Sequence, residues 1–185
     1  MTDIIAETDR LILRTLDEND AELQYRVLNS PELMRYLGGP KELHEIEERH
    51  ARTMALHARE KFSFLFAIEK ATGELVGHCG LKRVDAPGAK NPGDFEIGWL
   101  IREDRWRRGY AAEALHAVLD WAFDTHGAPF VVALTSESNE PSWRFMERLG
   151  MERREDLDFD DPRFGPDDNP TILYSLTREQ WETVR

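Results

Sequence analysis

Cysteine occurs once in the chain, at Cys79. A lone cysteine closes no internal disulfide, which excludes the stapled small secreted folds and suits a reducing compartment. Long apolar runs are missing as well. Nothing approaches the roughly 20 apolar residues that span a bilayer, and the opening Met1-Thr2-Asp3-Ile4-Ile5-Ala6-Glu7 has neither the basic region nor the apolar core of a signal peptide. A cytoplasmic location is expected. Positive charge is in deficit: 24 Lys and Arg against 36 Asp and Glu leave a formal charge of −12. That balance excludes broad adhesion to nucleic acid or anionic lipid, which needs a dominant basic surface, and favours a cationic partner. Repeats, low-complexity tracts and interior linkers are also lacking, so residues 1–185 read as a single domain.

Against this acidic background, Arg105, Arg107 and Arg108 form one small basic patch. It lies in Asp104-Arg105-Trp106-Arg107-Arg108-Gly109-Tyr110-Ala111-Ala112-Glu113-Ala114-Leu115, directly after the apolar run Phe95-Glu96-Ile97-Gly98-Trp99-Leu100-Ile101. A buried strand ends there, arginines and a glycine turn the chain, and a helix begins. Free N–H groups and the positive end of the helix dipole attract an anion at such a place. Gly109 lets a large ligand approach the backbone. The same residues also fit an ordinary strand-to-helix junction with solvated arginines. A second strand, turn and helix follows in Val131-Val132-Ala133-Leu134-Thr135 and Ser136 to Met151. Pro141 suits a first helical turn, Ser138 or Asn139 can cap it, and Gly150 ends it.

Elsewhere the alternation of Arg10 to Arg14 predicts a first strand, and Asp17 to Asn29 a helix with Leu23, Val27 and Leu28 inward. Pro31 opens another short helix. Glu42 to Lys61 reads as a charged helix whose stripe Leu43, Ile46, His50, Met54 and His57 is a packing face. His44, His50 and His57 lack the spacing of zinc ligands, so no metal is expected. Ser63 to Glu69 and Leu75 to Leu81 flank a hairpin turn with Gly73, and Tyr110 to Thr125 makes a helix stopped by Gly127. Strands around helices in mixed order predict an α/β sandwich.

Together these segments resemble the GCN5-related N-acetyltransferase superfamily, whose pyrophosphate-binding turn is like Arg107-Arg108-Gly109-Tyr110-Ala111. The RimJ/RimL-like subgroup is similar in its tryptophan-glycine-tyrosine-alanine pattern and in the Asn139 to Ser142 turn. Thr8-Asp9-Arg10-Leu11-Ile12-Leu13-Arg14 and Leu173-Tyr174-Ser175-Leu176 extend the resemblance over nearly the whole chain. It implies a mixed, mostly antiparallel twisted sheet flanked by helices, with a splayed central strand pair between the strands at Phe95 and Val131. It also implies acetyl-CoA as cosubstrate and a primary amine as acceptor. In a splay, unpaired groups at Trp99, Leu100 and Ile101 would pair with the pantetheine amides, while the diphosphate rests at Arg107, Arg108, Gly109, Tyr110 and Ala111.

Direct attack of the amine on the thioester needs a base, an oxyanion site and a proton for the departing thiolate. Glu96 is the first candidate base, with Asp94 and acids of the later loop as competitors. Backbone amides near Leu100 are the candidate oxyanion donors. Many superfamily members use a tyrosine to protonate the thiolate; here that place holds Met146, which donates no proton. Ser142 is the candidate instead, with Asn139 for pantetheine and Tyr174 as a lesser possibility. Cys79 reads as a small buried side chain rather than an acetyl carrier. The segment 155–170 carries seven acids against one arginine, with Phe159 and Phe164 among them, and reads either as a solvated loop or as a lid selecting a cationic acceptor. The acceptor is expected to be a protein or peptide N-terminal α-amine. Small amines (amino acid, polyamine or aminoglycoside) and a non-catalytic CoA-binding module are the alternatives, and the chain is expected to act as a monomer or homodimer.

Overall fold

The apolar alternation resolves into strands that hydrogen-bond side by side. The computed structural model describes residues 2–185 and contains an eight-stranded sheet in the order β1-β2-β3-β4-β5-β6-β8-β7. These strands are β1 (Ile4–Glu7), β2 (Leu11–Arg14), β3 (Phe64–Glu69), β4 (Leu75–Arg83), β5 (Phe95–Ile101), β6 (Phe130–Ser136), β7 (Glu152–Arg153) and β8 (Thr171–Thr177). Registered pairs are antiparallel except β5 with β6, which run parallel and are in register at Glu96 and Val132. This is the α/β arrangement that the sequence pattern predicts and the mixed, mostly antiparallel sheet with flanking helices that the resemblance implies. The described residues gather into two compact units, one of 2–82 and Trp99–Val118, the other of Arg83–Gly98 and Leu119–Arg185.

In the first unit the pleat divides side chains cleanly. Phe66 and Leu75 pack with Leu28 and Leu33, joined by the half-buried Leu16, Leu23, Val27, Ile68 and Leu100. Leu11, Leu13, Leu65, Ala67 and Cys79 alternate to the opposite face and are fully buried. Helix α1 (Asp20–Val27) starts where Asp20 accepts the Asp17 N–H and pairs with Arg14 through two bonds of 2.6 and 2.9 Å. It is shorter than the expected 17–29 because Asp17 and Asn19 bond each other in a turn instead. After Pro31 there is a turn and one tight helical turn, Arg35–Leu37, rather than a helix. Helix α2 (Leu43–Glu60) is closed by a capping box between Glu42 and Glu45 and turns its expected stripe inward, with Ile46 and His50 buried.

β1 precedes the strand expected to be first. Its Ile4-Ile5-Ala6-Glu7 has no buried face, so it shows no alternation to read. Helix α3 (Tyr110–Asp120) widens into a π-type turn over Trp121–Thr125, where a continuous helix was expected.

In the second unit, β6 and β8 pair along their full length from Phe130 with Thr177 to Ser136 with Thr171. Helix α4 (Glu140–Arg148) carries Pro141 in its first turn. Asn139 occupies the cap position, yet neither it nor Ser138 caps the helix as expected. Asn139 Nδ2 donates to Thr135 Oγ1 at 3.0 Å, and the Ser138 hydroxyl pairs with that of Ser136. Helix α5 (Arg178–Val184) is capped by Thr177, whose Oγ1 accepts from the Gln180 N–H. Among the described residues no helix is long and apolar enough to cross a membrane.

Candidate active site

β5 ends against β4 at a point where no side chain fits. A Cβ on Gly77 would lie 2.2 Å from the Leu100 carbonyl oxygen, so glycine there lets the strand end settle onto its neighbour. The Arg102 N–H donates to the Val76 carbonyl at 2.9 Å. Polar backbone groups alternate along a strand, so those of Leu100 and Arg102 are directed at β4 and those of Trp99 and Ile101 at the other edge. On that other edge the Ile101 carbonyl is already taken, accepting from Trp106 Nε1 at 2.6 Å. Trp99 and the Ile101 N–H are therefore the groups of this stretch that face the edge expected to meet a ligand.

A single tight turn, Glu103–Arg105, then leads to Trp106, Arg107, Arg108 and Gly109 before α3. Arg107 has φ 57° and Gly109 φ 81°, with Arg108 between them on the ordinary side. Left-handed backbone at a non-glycine residue costs about 1 kcal/mol and concentrates at functional sites. Alternating handedness also turns successive N–H groups toward one side, the concavity that binds anions. The first N–H groups of α3 add to it, since the first helical bond there runs from the Glu113 N–H to the Gly109 carbonyl. Arg107, Arg108 and Gly109 are exposed, Tyr110 is buried and Ala111 half-buried.

What fixes this turn is a set of residues without a role in the sequence reading. Glu113 accepts from the Thr8 hydroxyl at 2.5 Å and from the Arg10 N–H and Nε at 2.7 and 2.6 Å. These bonds hold its carboxyl below the usual range against the opposing effect of burial. Arg10 also donates to the Arg108 carbonyl and lies 4.1 Å over the Tyr110 ring. The Tyr110 hydroxyl donates to Glu69, a buried carboxylate that further accepts from Thr72 Oγ1 at 2.8 Å and Arg105 at 3.3 Å. Tyr110 is the largest cause of the lowered Glu69 pKa, followed by Thr72. Both Thr8–Arg14 and Glu113 fall inside motif segments, but a pairing across some hundred residues leaves no local pattern.

Also in this unit, Cys79 is wholly buried and its thiol is pushed up to about 12, leaving essentially no thiolate at neutral pH. Neighbouring His78 is driven by burial to about 4, so it stays neutral there too.

The second unit holds the other candidates. Glu96 is half-buried opposite Val132, and Asp94 is engaged, accepting from Asn91 Nδ2 at 2.8 Å and, through its carbonyl, from the Val84 N–H. Ser142 sits in the first turn of α4, where its N–H donates to the Asn139 carbonyl; its hydroxyl makes no hydrogen bond among the described residues. Met146 is buried, and the Tyr174 hydroxyl donates to Glu147 at 3.2 Å. Loop 155–170 is more strongly built than a charge run suggests. Asp158 and Asp156 pair with Arg153 and Arg154, and buried Asp161 pairs with Arg163. Asn169 donates to three carbonyls and accepts the Asp161 N–H, while Phe159 is buried and bridged to Thr171. Among the described residues no three His, Cys, Asp or Glu side chains gather as a metal site.

Residues 10–152 match the family described as acetyltransferase (GNAT) domain. The chain belongs to the GNAT acetyltransferases. This acetyltransferase is 32% identical over 152 residues to the uncharacterized N-acetyltransferase YoaA of Bacillus subtilis, a match covering 80% of this chain and 83% of YoaA. An acetyltransferase structure from Agrobacterium tumefaciens str. C58 is 29% identical, with TM-score 0.76 over 94% of each chain. RimL, a ribosomal L7/L12 alpha-N-protein acetyltransferase solved with coenzyme A, shares the fold at TM-score 0.74 and 14% identity, covering 95% of this chain and 98% of RimL. The residues present here fit a phosphate-bearing cosubstrate, because the alternating turn, the exposed arginines and the α3 N–H groups are a donor set for phosphate.

Proposed function

We propose that this acetyltransferase moves the acetyl group of acetyl-CoA to a primary amine, in the RimJ/RimL-like manner to a protein or peptide N-terminal α-amine. The observation that carries the cosubstrate half is the turn of alternating handedness at Arg107-Arg108-Gly109, which supplies phosphate donors from backbone and side chain together. The acceptor half is supported by the charge of −12 and by chemistry. An α-amine with pKa near 8 is about a tenth neutral at pH 7, whereas a lysine near 10.4 is neutral roughly four times in ten thousand.

In the step itself the amine lone pair bonds to the thioester carbonyl carbon, the C–S bond breaks, and CoA leaves as thiolate. The amine's surplus proton goes to Glu96, directly or through water. The Ser142 hydroxyl orders the thiolate, or protonates it while its own proton is replaced from water, and Asn139 contacts pantetheine. The edge N–H of Trp99 or Ile101 holds the oxyanion, and the β5 edge at Trp99 and Ile101 accompanies pantetheine, with the Leu100 backbone turned to β4 and the diphosphate at Arg107 to Ala111. The chain works as one domain in this reading, as monomer or homodimer, and its reduced Cys79 suits the cytoplasm.

Thiol release from acetyl-CoA tests the proposal against peptides with a free N-terminus, N-blocked peptides with lysine, polyamines and aminoglycosides. Turnover confined to free N-termini is expected. Turnover with small amines alone would transfer the acceptor to that class, and CoA binding without turnover would leave a binding module. Glu96→Gln is expected to cut kcat on the order of 10²-fold or more, with the loss recovered in part at high pH. Ser142→Ala is expected to lower kcat with little change in KM.

A further inference from the structure

Arg10 spends all but one of its hydrogen-bonding nitrogens on the protein. Its N–H and Nε are held by Glu113, Nη1 donates to the Arg108 carbonyl at 2.9 Å, and the guanidinium carbon lies 4.1 Å from the centre of the Tyr110 ring. Nη2 makes no hydrogen bond among the described residues. That same atom is what a Cβ on Gly109 would meet, at 3.3 Å, so it stands at the open side of the glycine. The side chain is 42% exposed, against 17% for Glu113.

An arginine fixed this way has already lost the rotamer freedom that binding would otherwise cost. A planar fork with a spare N–H beside a glycine also suits a phosphate oxygen better than a point charge does. Glu113, left alone, would repel an anion at the turn; Arg10 cancels that charge while offering a directed donor.

We propose that Arg10 is a direct ligand of the cosubstrate's phosphates, its Nη2 donating to an oxygen lying over Gly109. The chain before β2 thereby becomes part of the phosphate site, beside Arg108, whose carbonyl Arg10 holds. This rests on the reading of the turn as the CoA site, and Arg108→Ala tests that reading separately.

The experiment is calorimetric binding of CoA to the full chain, wild type and Arg10→Ala, Glu113→Ala and the double variant. Melting temperatures are recorded beside each. Arg10→Ala is expected to weaken CoA on the order of 10-fold or more, and the double variant to remain weak because both lack Nη2. Recovery of wild-type affinity in the double variant would mean that Arg10 only neutralises Glu113, and would overturn the proposal. Should Arg10→Ala not fold, Arg10→Lys takes its place, since one ammonium cannot serve Glu113, Arg108 and phosphate together; unchanged affinity there would equally overturn it.

A merely positioning role is separated by NMR. The Arg10 guanidinium resonance, assigned by its absence in Arg10→Lys, is expected to shift as CoA is added, and weaker binding without that shift would sink the direct contact. If Arg108→Ala leaves CoA binding untouched, the phosphate reading of the turn falls. If Arg108→Ala weakens binding and Arg10→Ala does not, only the assignment of Arg10 falls.

Discussion

At the turn before α3, carboxylates hold arginines; in loop 155–170, arginines hold carboxylates. Glu69 and Glu113 are the buried or nearly buried partners in the first region, fixing Arg105 and Arg10, while Arg107 and Arg108 are left exposed. In the second, Arg153, Arg154 and Arg163 fix Asp158, Asp156 and Asp161, while Glu155, Asp160 and Asp167 are left exposed. Each region therefore presents a surplus of one sign on a scaffold of the other. A charge count along the sequence sees only the sums. The structure separates the charges that build from those free to meet a ligand.

The largest break in this comparison is expected from Glu69→Gln, which replaces the charged acceptor shared by Tyr110, Thr72 and Arg105 with a neutral amide, while Asp104 and Glu74 still pair with Arg105. Destabilisation of about 2–3 kcal/mol follows, read as a fall in the denaturant midpoint at unchanged slope. Asp161→Asn is the matching test in the other region. It is expected to cost less, about 1–2 kcal/mol, because Arg163 itself is exposed.

Acid separates the regions in another way. Burial lowers the pKa of His50 and His57 as well as His78, all in the first unit. The unfolded His78 ring titrates near 6.5 and the folded one only near 4. Between those values the unfolded chain binds more protons, so stability is intact above 6.5, falls as pH drops through the window, and loses at most about 3 kcal/mol from this residue. His78→Gln is expected to flatten that slope in a pH series of thermal melts.

Removing the surplus rather than the scaffold should touch ligands and spare stability. Arg107→Ala with Arg108→Ala is expected to raise KM for acetyl-CoA by about 10- to 30-fold and to reduce its dependence on salt, with a melting temperature near wild type. Asp160→Asn with Asp167→Asn is the smallest effect, about two- to threefold in KM for a cationic peptide acceptor. Unchanged kinetics there would remove the lid reading of the loop.

The sheet, α2, the hairpin at Gly73 and the strand-turn-helix at Arg107 were legible because each writes a period or a turn residue into consecutive positions. β1 was not, having no buried face, and α1 was overextended because Asp17 and Asn19 look like helix starters yet bond each other. At the site, Arg107 to Ala111 announced themselves by composition. Arg10, Thr8, Glu69 and Glu113 did not, since what defines them is a set of hydrogen bonds between distant segments. The acidic loop misled in one respect: Asp161 reads like its neighbours but is the buried centre on which Arg163 and Asn169 converge.

Trp106 gives the protein an optical gauge at the turn. Its indole is 44% exposed, whereas Trp121 and Trp181 are 9% and 1% exposed, and it is tethered to the end of β5 through the Ile101 carbonyl. A molecule settling on Arg107 and Gly109 would shade that ring from water and from collisional quenchers without the ring having to move. Emission from Trp106 should then shift to the blue and resist iodide in step with occupancy, so the chain reports its own filling with no label attached.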